Sequence, residues 1–421
     1  MVSKWGWLLL KLSRKLWVRT VAFAVLALLS ALIAVLVQGF IPQALSDIIG
    51  AGAAEKILTI LASSMLTVTT FSLSVMIAAF SASTNSVSPR ATRLLMEDTT
   101  THNALATFVG SFLFSIVSII LLNTELYTER GKVVLFLTTI LVIALIVVTI
   151  LVWINHLSGL GRVGETANKV ENKAYAALMD FVEKPWLNAN PLSELSQIPK
   201  TAKAVQTETI GYIQHIDIKA INKWAQRNNC QVYVVVRAGI FIDPHRPLLW
   251  VNGTCINGET SATYQPLLQA FSIEDFRTFD QDPRFGLLVL AEIASKALSP
   301  AINDPGTAID IIGRGTRVLS NWRPASDAEI TSDYPNVWQL GLALADLFDD
   351  FFTPIARDGA ALVEIQIRLQ KSFIALSQIN SDFRPHVLRH SAAALARAEQ
   401  AMPYSEDVKL LKALHQQLRD S

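Results

Sequence analysis

The first 161 residues alternate between long apolar runs and short polar breaks. Between Arg19 and Asp47 lie 27 residues without a charge, and between Lys56 and Arg90 lie 33. Between Asp98 and Glu125 lie 26 more, and between Lys132 and Arg162 a further 29. A bilayer core takes roughly 20 consecutive apolar residues per helix. The pattern therefore predicts four membrane spans, at about 20–44, 57–84, 104–123 and 133–156. They form a transmembrane domain over 19–160. Ahead of them, residues 1–18 read as an interfacial helix carrying Trp5, Trp7 and Trp17. The apolar run that follows is too long for a signal peptide and ends in no small-residue cleavage site.

After the fourth span the period changes. A helical extension and a polar linker fill 161–207. Residues 209–216 alternate as a strand, and Asp217 is placed to cap a helix through about Arg227. Residues 231–237, 240–242 and 248–252 read as further strands, completing a small β-α-β-β module over 208–262. From 263 to 421 the signals are helical, at 264–275, 283–298, 305–320, 336–356, 359–379, 384–401 and 405–419. The expected fold class is an α-helical integral membrane protein with four transmembrane helices. A mixed α/β, mostly helical C-terminal domain follows them.

Composition agrees with this division. Of 421 residues, 51% are apolar and only 17% charged, where a soluble protein runs nearer a quarter charged. That excludes a purely soluble enzyme and a disordered chain. Residues 1–156 hold ten Lys/Arg against six Asp/Glu, and the remainder 26 against 29. Neither part is basic enough for nucleic acid. Basic residues gather before span one, at Arg90 and Arg93, and after span four at Arg162, Lys169 and Lys173. The positive-inside rule then places both ends of the chain in the cytoplasm. Cys230 and Cys255, the two cysteines, read as reduced structural thiols in such a compartment.

Catalytic signatures are missing. Gly159, Gly161 and Gly164 match a dinucleotide fingerprint, but they follow a membrane span rather than a strand. His386 and His390 lie one helical turn apart, with no glutamate after the first and no third ligand in sight. No enzyme activity, cofactor or metal is expected. No span contains Asp, Glu, Lys or Arg, which argues against a proton-coupled transporter.

Span two is the unusual helix. Ser63, Thr67, Thr70, Ser74, Ala78 and Ser81 recur at three- and four-residue spacing, along one helix face. Two readings stay open: small-residue packing against another helix, or a hydroxyl-lined aqueous path. In the second, Phe71 and Phe80 would form hydrophobic constrictions. Ser88 and Pro89 mark a helix start. The short helix that follows carries Arg90 and Arg93, suited to lipid phosphates or to an acidic element of the C-terminal domain. Asp98 closes this segment. Farther on, Ser299-Pro300 and Asn303-Asp304-Pro305 predict a tight polar corner between two helices, with Asp304 as cap. Arg277, Gln281 and Asp282 form a similar polar start to the helix before it.

Three strings together carry a resemblance. They are FSLSVMIAAFSASTNSVSPRATRLLMED (71–98), RAGIFI (237–242) and RTFDQDPRFGLLVLAEIASKALSPAINDPGTA (277–308). The chain resembles the bacterial DUF2254 family of predicted inner-membrane proteins over nearly its whole length. The ALSPAINDP string is the specific part. The resemblance implies a multi-pass protein of the bacterial inner membrane, with four spans and a cytoplasmic C-terminal domain. It supplies no activity. Two positions depart from the family pattern: Ile240, where a polar residue is frequent, and Gly306, where a bulkier one is.

The expected partners are the lipid bilayer and further copies of the chain, with ions or a small ligand left open. The first functional expectation is a homo-oligomeric, channel-like protein. Span two would line the passage, and Arg90 and Arg93 would meet the Asn303–Asp304 corner as a gate. The alternative is a non-conducting, membrane-anchored scaffold or sensor.

Overall fold

The computed structural model describes residues 16–37, 53–96, 98–124, 129–159, 161–253, 264–324 and 332–420. Residues 1–15, the outer part of span one with Pro42, and Cys255 lie outside the described residues. The chain divides into two compact units. One comprises Met1–Asn85 with Thr92–Glu165, the other Ser86–Ala91 with Thr166–Ser421.

In the first unit, four helices are long and apolar enough to cross a membrane. They are α1 (Leu16–Val37), α2 (Ala53–Ser86), α4 (Thr99–Asn123) and α5 (Glu129–Gly159). A short α3 (Pro89–Met96) follows α2. Span three starts earlier than the hydropathy pattern suggests because Asp98 caps it. The Asp98 carboxylate accepts from Thr100 N at 2.9 Å and Thr101 N at 3.0 Å. Leu28, Leu32 and Leu36 on α1, and Leu141, Val148 and Leu151 on α5, are exposed. Helices whose backbone is satisfied internally and whose flanks are aliphatic suit a lipid solvent.

Small residues set the closest packing of this unit. On α4, Ala104, Ser111, Ser115 and Ser118 are buried, and on α1 Ala27, Ser30 and Ala34 are buried. Gly110 leaves no room for a side chain, since a Cβ there would come within 2.4 Å of the Phe23 ring. This is the close backbone approach that small residues permit in membranes. Span two joins the others through Leu58, Leu61 and Met65, and Trp153 of span four donates to Ser72 Oγ at 3.0 Å.

The second unit opens with α6 (Val163–Glu183) and two strands, β1 (Ala189–Leu192) and β2 (Lys203–Val205). Then come β3 (Gly211–Ile216), α7 (Ile218–Arg227), β4 (Cys230–Val234), β5 (Phe241–Ile242) and β6 (Leu249–Gly253). A one-turn α8 (Gln265–Leu268) and β7 (Phe271–Glu274) lead to α9 (Pro283–Ala297) and α10 (Pro305–Leu319). After β8 (Tyr334–Leu340), helices α11 (Leu344–Asp358), α12 (Val363–Ile379), α13 (Arg384–Ala401) and α14 (Ser405–Asp420) close the unit.

The strands make a five-stranded sheet, ordered β1-β8-β4-β6-β2, and a three-stranded sheet, β5-β3-β7. This corrects the small module expected at 208–262. The linker contributes β1 and β2, the segment expected as helix 264–275 holds one helical turn, α8, and then β7, and the start of the helix expected at 336–356 is β8. Strand β8 pairs in parallel with both β1 and β4, whose paired residues, such as Ala189 with Tyr334 and Val232 with Val337, lie more than a hundred residues away in the chain. Local periodicity carries no trace of such a pairing. Asp217 caps α7 as expected, accepting from Ala220 N at 2.9 Å. Cys230 is disulfide-bonded, which corrects the reading of this thiol as reduced.

Packing of the helical part is dense. Gly286 of α9 lies where a Cβ would come within 2.3 Å of Ala174 Cβ. Arg314 and Arg317 of α10 reach Glu171 of α6 at 2.7 and 2.8 Å. Phe348, Phe351, Phe352, Phe373 and Phe383 are fully buried.

Candidate functional site

The hydroxyl face of span two is turned outward from its own unit. Ser63, Thr67, Thr70, Ser74 and Ser81 are exposed, as is Phe71; Phe80 is half-buried. The hydroxyls of Ser63, Thr67, Thr70 and Ser74 are satisfied by their own helix. Thr67 Oγ1 donates to Ser63 O at 3.1 Å, Thr70 Oγ1 to Leu66 O at 3.0 Å, and Ser74 Oγ to Thr70 O at 3.0 Å. The face therefore packs against none of spans one, three and four.

Ser88 is buried and caps α3, its Oγ accepting from Ala91 N at 3.2 Å. Arg90 forms an ion pair with Glu292 of α9, and Lys296 Nζ donates to Val87 O at 2.9 Å. These are contacts within the second unit. Arg90 thus meets Glu292 and not the Asn303–Asp304 corner. Arg93 is exposed. Asp304 serves its own helix, accepting from Thr307 N at 3.0 Å and Thr307 Oγ1 at 2.6 Å. These bonds, the side-chain one foremost, hold its carboxyl below the usual range. Ser299 Oγ donates to Lys296 O at 2.7 Å, and Asn303 takes a left-handed φ of 49° to turn the corner behind the exposed Pro300. Pro305 then opens α10.

Arg277, Gln281 and Asp282 stand elsewhere, in the wall of a cavity of about 370 Å³ within the second unit. Asp282 is 2% exposed. It caps α9 through Phe285 N at 3.2 Å, and holds the Arg277 fork at 2.8 and 3.0 Å. Burial pushes its carboxyl up, and the Arg277 fork opposes that. Gln281 Oε1 accepts from Ile216 N at 2.9 Å, locking the segment to β3.

Opposite stands the turn after β4. Gly239 takes a φ of +85°, and a Cβ there would come within 2.0 Å of Asp282 Oδ2. Only glycine satisfies both demands. The strings 237–242 and 277–284 thus meet in space. Arg237 donates to Gly341 O at 2.8 Å and pairs with Asp346 at 3.1 Å. Burial lowers its pKa, and Asp346 counters. Burial also opposes the charge on Arg284. Its bonds to Asp350 at 2.7 Å and Asp346 at 2.8 Å more than offset this, and its pKa is raised. Arg246 is exposed, and its side chain has no partner among the described residues. Phe181, Trp186, Ile240, Phe241 and Leu342 supply apolar wall.

Two features of this cavity escaped sequence reasoning. Gln339 is 2% exposed and lines it. Its Nε2 donates to Val236 O at 2.7 Å, while its Oε1 has no partner among the described residues. Trp186, Leu187 and Asn188 hold φ values of 51°, 57° and 61° in succession. Such strain in non-glycine residues gathers at functional positions. Asn188 anchors it by donating to Asp333 Oδ2 at 2.8 Å.

The two spaced histidines are packed as ordinary side chains. His390 is buried against Phe348, Phe352 and Phe373, and its Nε2 lies 3.0 Å from Asp349. His386 sits on the Phe348 ring.

No solved structure matches the chain. It is 24% identical over 266 residues to an uncharacterized protein of Mycobacterium tuberculosis (strain CDC 1551 / Oshkosh), covering 62% of this chain and 51% of the relative. An uncharacterized protein of Mycobacterium bovis matches with the same identity and coverage. The chain spans about half the length of these curated relatives. The sequence pattern of predicted membrane proteins known as DUF2254 matches residues 13–375. With most of its length matched, including all four spans and both strings that meet at the cavity, the chain belongs to the DUF2254 family of predicted membrane proteins.

Proposed function

We propose that the protein is a homo-oligomeric, channel-like protein of the bacterial inner membrane, its passage lined by span two. The observation that carries this reading is the outward hydroxyl face Ser63–Thr67–Thr70–Ser74–Ser81. A polar stripe left over after three apolar partners have packed is buried economically around a closed symmetry axis. The segment that follows span two supports a gating role for the second unit. There Arg90–Glu292 and Lys296–Val87 tether residues 87–90 to α9.

Ion flux through liposomes tests conduction. Wild type should pass ions, and Thr70→Trp should abolish the flux with assembly unchanged by gel filtration. Flux untouched by Thr70→Trp would reject span two as the lining, and wild-type liposomes silent across several salts and pH values would favour the second reading. That reading, a membrane-anchored sensor, is favoured by the cavity of the second unit.

Basic clusters favour a cytoplasmic location for both ends, whereas the disulfide at Cys230 favours the opposite side for the second unit. Fusions of green fluorescent protein and alkaline phosphatase to the C-terminus decide between them. A fluorescent cell without phosphatase activity supports the cytoplasmic placement.

A further inference from the structure

We propose that the cavity of the second unit binds a small phosphate monoester carrying an aromatic ring, a molecule of nucleoside monophosphate size. This assignment stands on the second unit alone and does not depend on conduction.

Size and chemistry argue together. A volume of about 370 Å³ lies within the range of small-molecule sites, which are mostly apolar with a few convergent polar groups. Four arginines line the wall: Arg237, Arg246, Arg277 and Arg284. The carboxylates bonded to them are three, Asp282, Asp346 and Asp350. One positive charge is left over, and it belongs to the exposed Arg246. Each guanidinium carries five N–H donors. Arg237 spends only Nη1 and Nη2 bonds on Gly341 and Asp346, and Arg277 only Nε and Nη2 bonds on Asp282. Donors therefore remain on arginines contributed by separate segments of the chain. A tetrahedral oxyanion with several acceptor oxygens suits donors arriving from several directions.

The rest of the wall calls for more than an anion. Phe181, Trp186 and Phe241 bring aromatic side chains to the wall, and the left-handed run at 186–188 lies in the same wall. Gln339 Oε1 is a buried acceptor with no partner among the described residues, and leaving such an atom unbonded is costly. A ring bearing an N–H would satisfy it. Arginine donors for the phosphate, aromatic side chains for the ring and one acceptor for a ring N–H make a complete recognition set.

Isothermal titration of the full chain in detergent micelles tests the assignment, with AMP as probe and inorganic phosphate and adenosine as its two halves. AMP should bind saturably, at least tenfold more tightly than either half. Arg246→Gln should weaken AMP about tenfold, the effect of losing one charge-assisted contact. Its side chain makes no hydrogen bond or ion pair among the described residues that the fold would miss, and an unchanged melting curve checks that the variant folds. Arg357→Gln, at a surface arginine whose partner among the described residues is its neighbour Asp358, should bind AMP as wild type does. The proposal is overturned if AMP gives no saturable heat up to millimolar concentration, or if Arg246→Gln binds it unchanged. It is equally overturned if inorganic phosphate or adenosine binds as tightly as AMP.

Discussion

Spans two and three carry the same kinds of residue and use them in opposite ways. On span three, Ser111, Ser115 and Ser118 are fully buried, and Gly110 presses on Phe23 of span one. On span two, Thr67, Thr70 and Ser74 face away from their own unit. Small polar residues in a membrane helix therefore do not announce their role by type or spacing. What separates the two faces is the shape of the partner. Span three meets the Ala27–Ser30–Ala34 face of span one, where small residues let backbones approach. Span two meets its neighbours through Leu58, Leu61, Met65 and the buried Ser72, and leaves the Thr67–Thr70–Ser74 face outside.

The largest expected effect breaks the span-three face. Gly110→Leu drives a side chain into the Phe23 ring and should destabilise the membrane unit by about 3 kcal/mol. Thermal denaturation in detergent reads it, and a wild-type melting temperature would show that span three does not pack through this position.

The same contrast of buried and outlying polar groups recurs one helical turn apart, at His390 and His386. Burial, with Arg389 beside it, lowers the His390 pKa to about 4, against an ordinary value near 6.5. An unfolded chain then binds this proton more readily than the folded one. Stability is full above about pH 6.5 and is lost as the pH falls toward 4. The expected loss is about 2 kcal/mol at pH 5. A denaturant series between pH 7 and 5 measures it, and His390→Gln should flatten the slope in that window. A slope unchanged in the variant would mean that other groups carry the acid sensitivity.

Smaller effects sharpen the difference between the hydroxyl faces. Ser118 Oγ is buried with no partner among the described residues. Ser118→Ala should therefore stabilise the membrane unit by up to about 1 kcal/mol, because an unpaired buried hydroxyl is removed. A loss of stability would reveal a partner for it. The smallest effect belongs to span two, where Ser74→Leu should change subunit stability by less than about 0.5 kcal/mol. The same variant should abolish ion flux in liposomes if the face lines a passage. A large drop in subunit stability would place Ser74 in the packing of its own unit.

Much of the candidate chemistry was legible only as fragments. The strings at 237–242 and 277–308 stand out in the sequence, and Arg277, Gln281 and Asp282 were singled out there as a helix start. Nothing local says that Gly239 abuts Asp282, because that contact joins a turn after β4 to the cap of α9. Gln339 was hidden for a different reason. Its segment reads as helix until a parallel partner on each side makes it a strand, and a strand end then delivers the side chain to the cavity. Trp186 fell within what reads as a polar linker, since left-handed residues that are not glycine leave no mark in composition.

The sequence by itself determined the four spans, the helix starts at Asp217, Asp282 and Asp304, and the membership of the family. Bilayer thickness and capping are local constraints, satisfied or not within one stretch of chain. Tertiary structure alone decided which hydroxyl face is buried, that Arg90 pairs with Glu292, and that four arginines from separate segments share one cavity. Those outcomes depend on shape complementarity and charge pairing between distant segments. Such pairings are settled only when the whole chain competes for each partner.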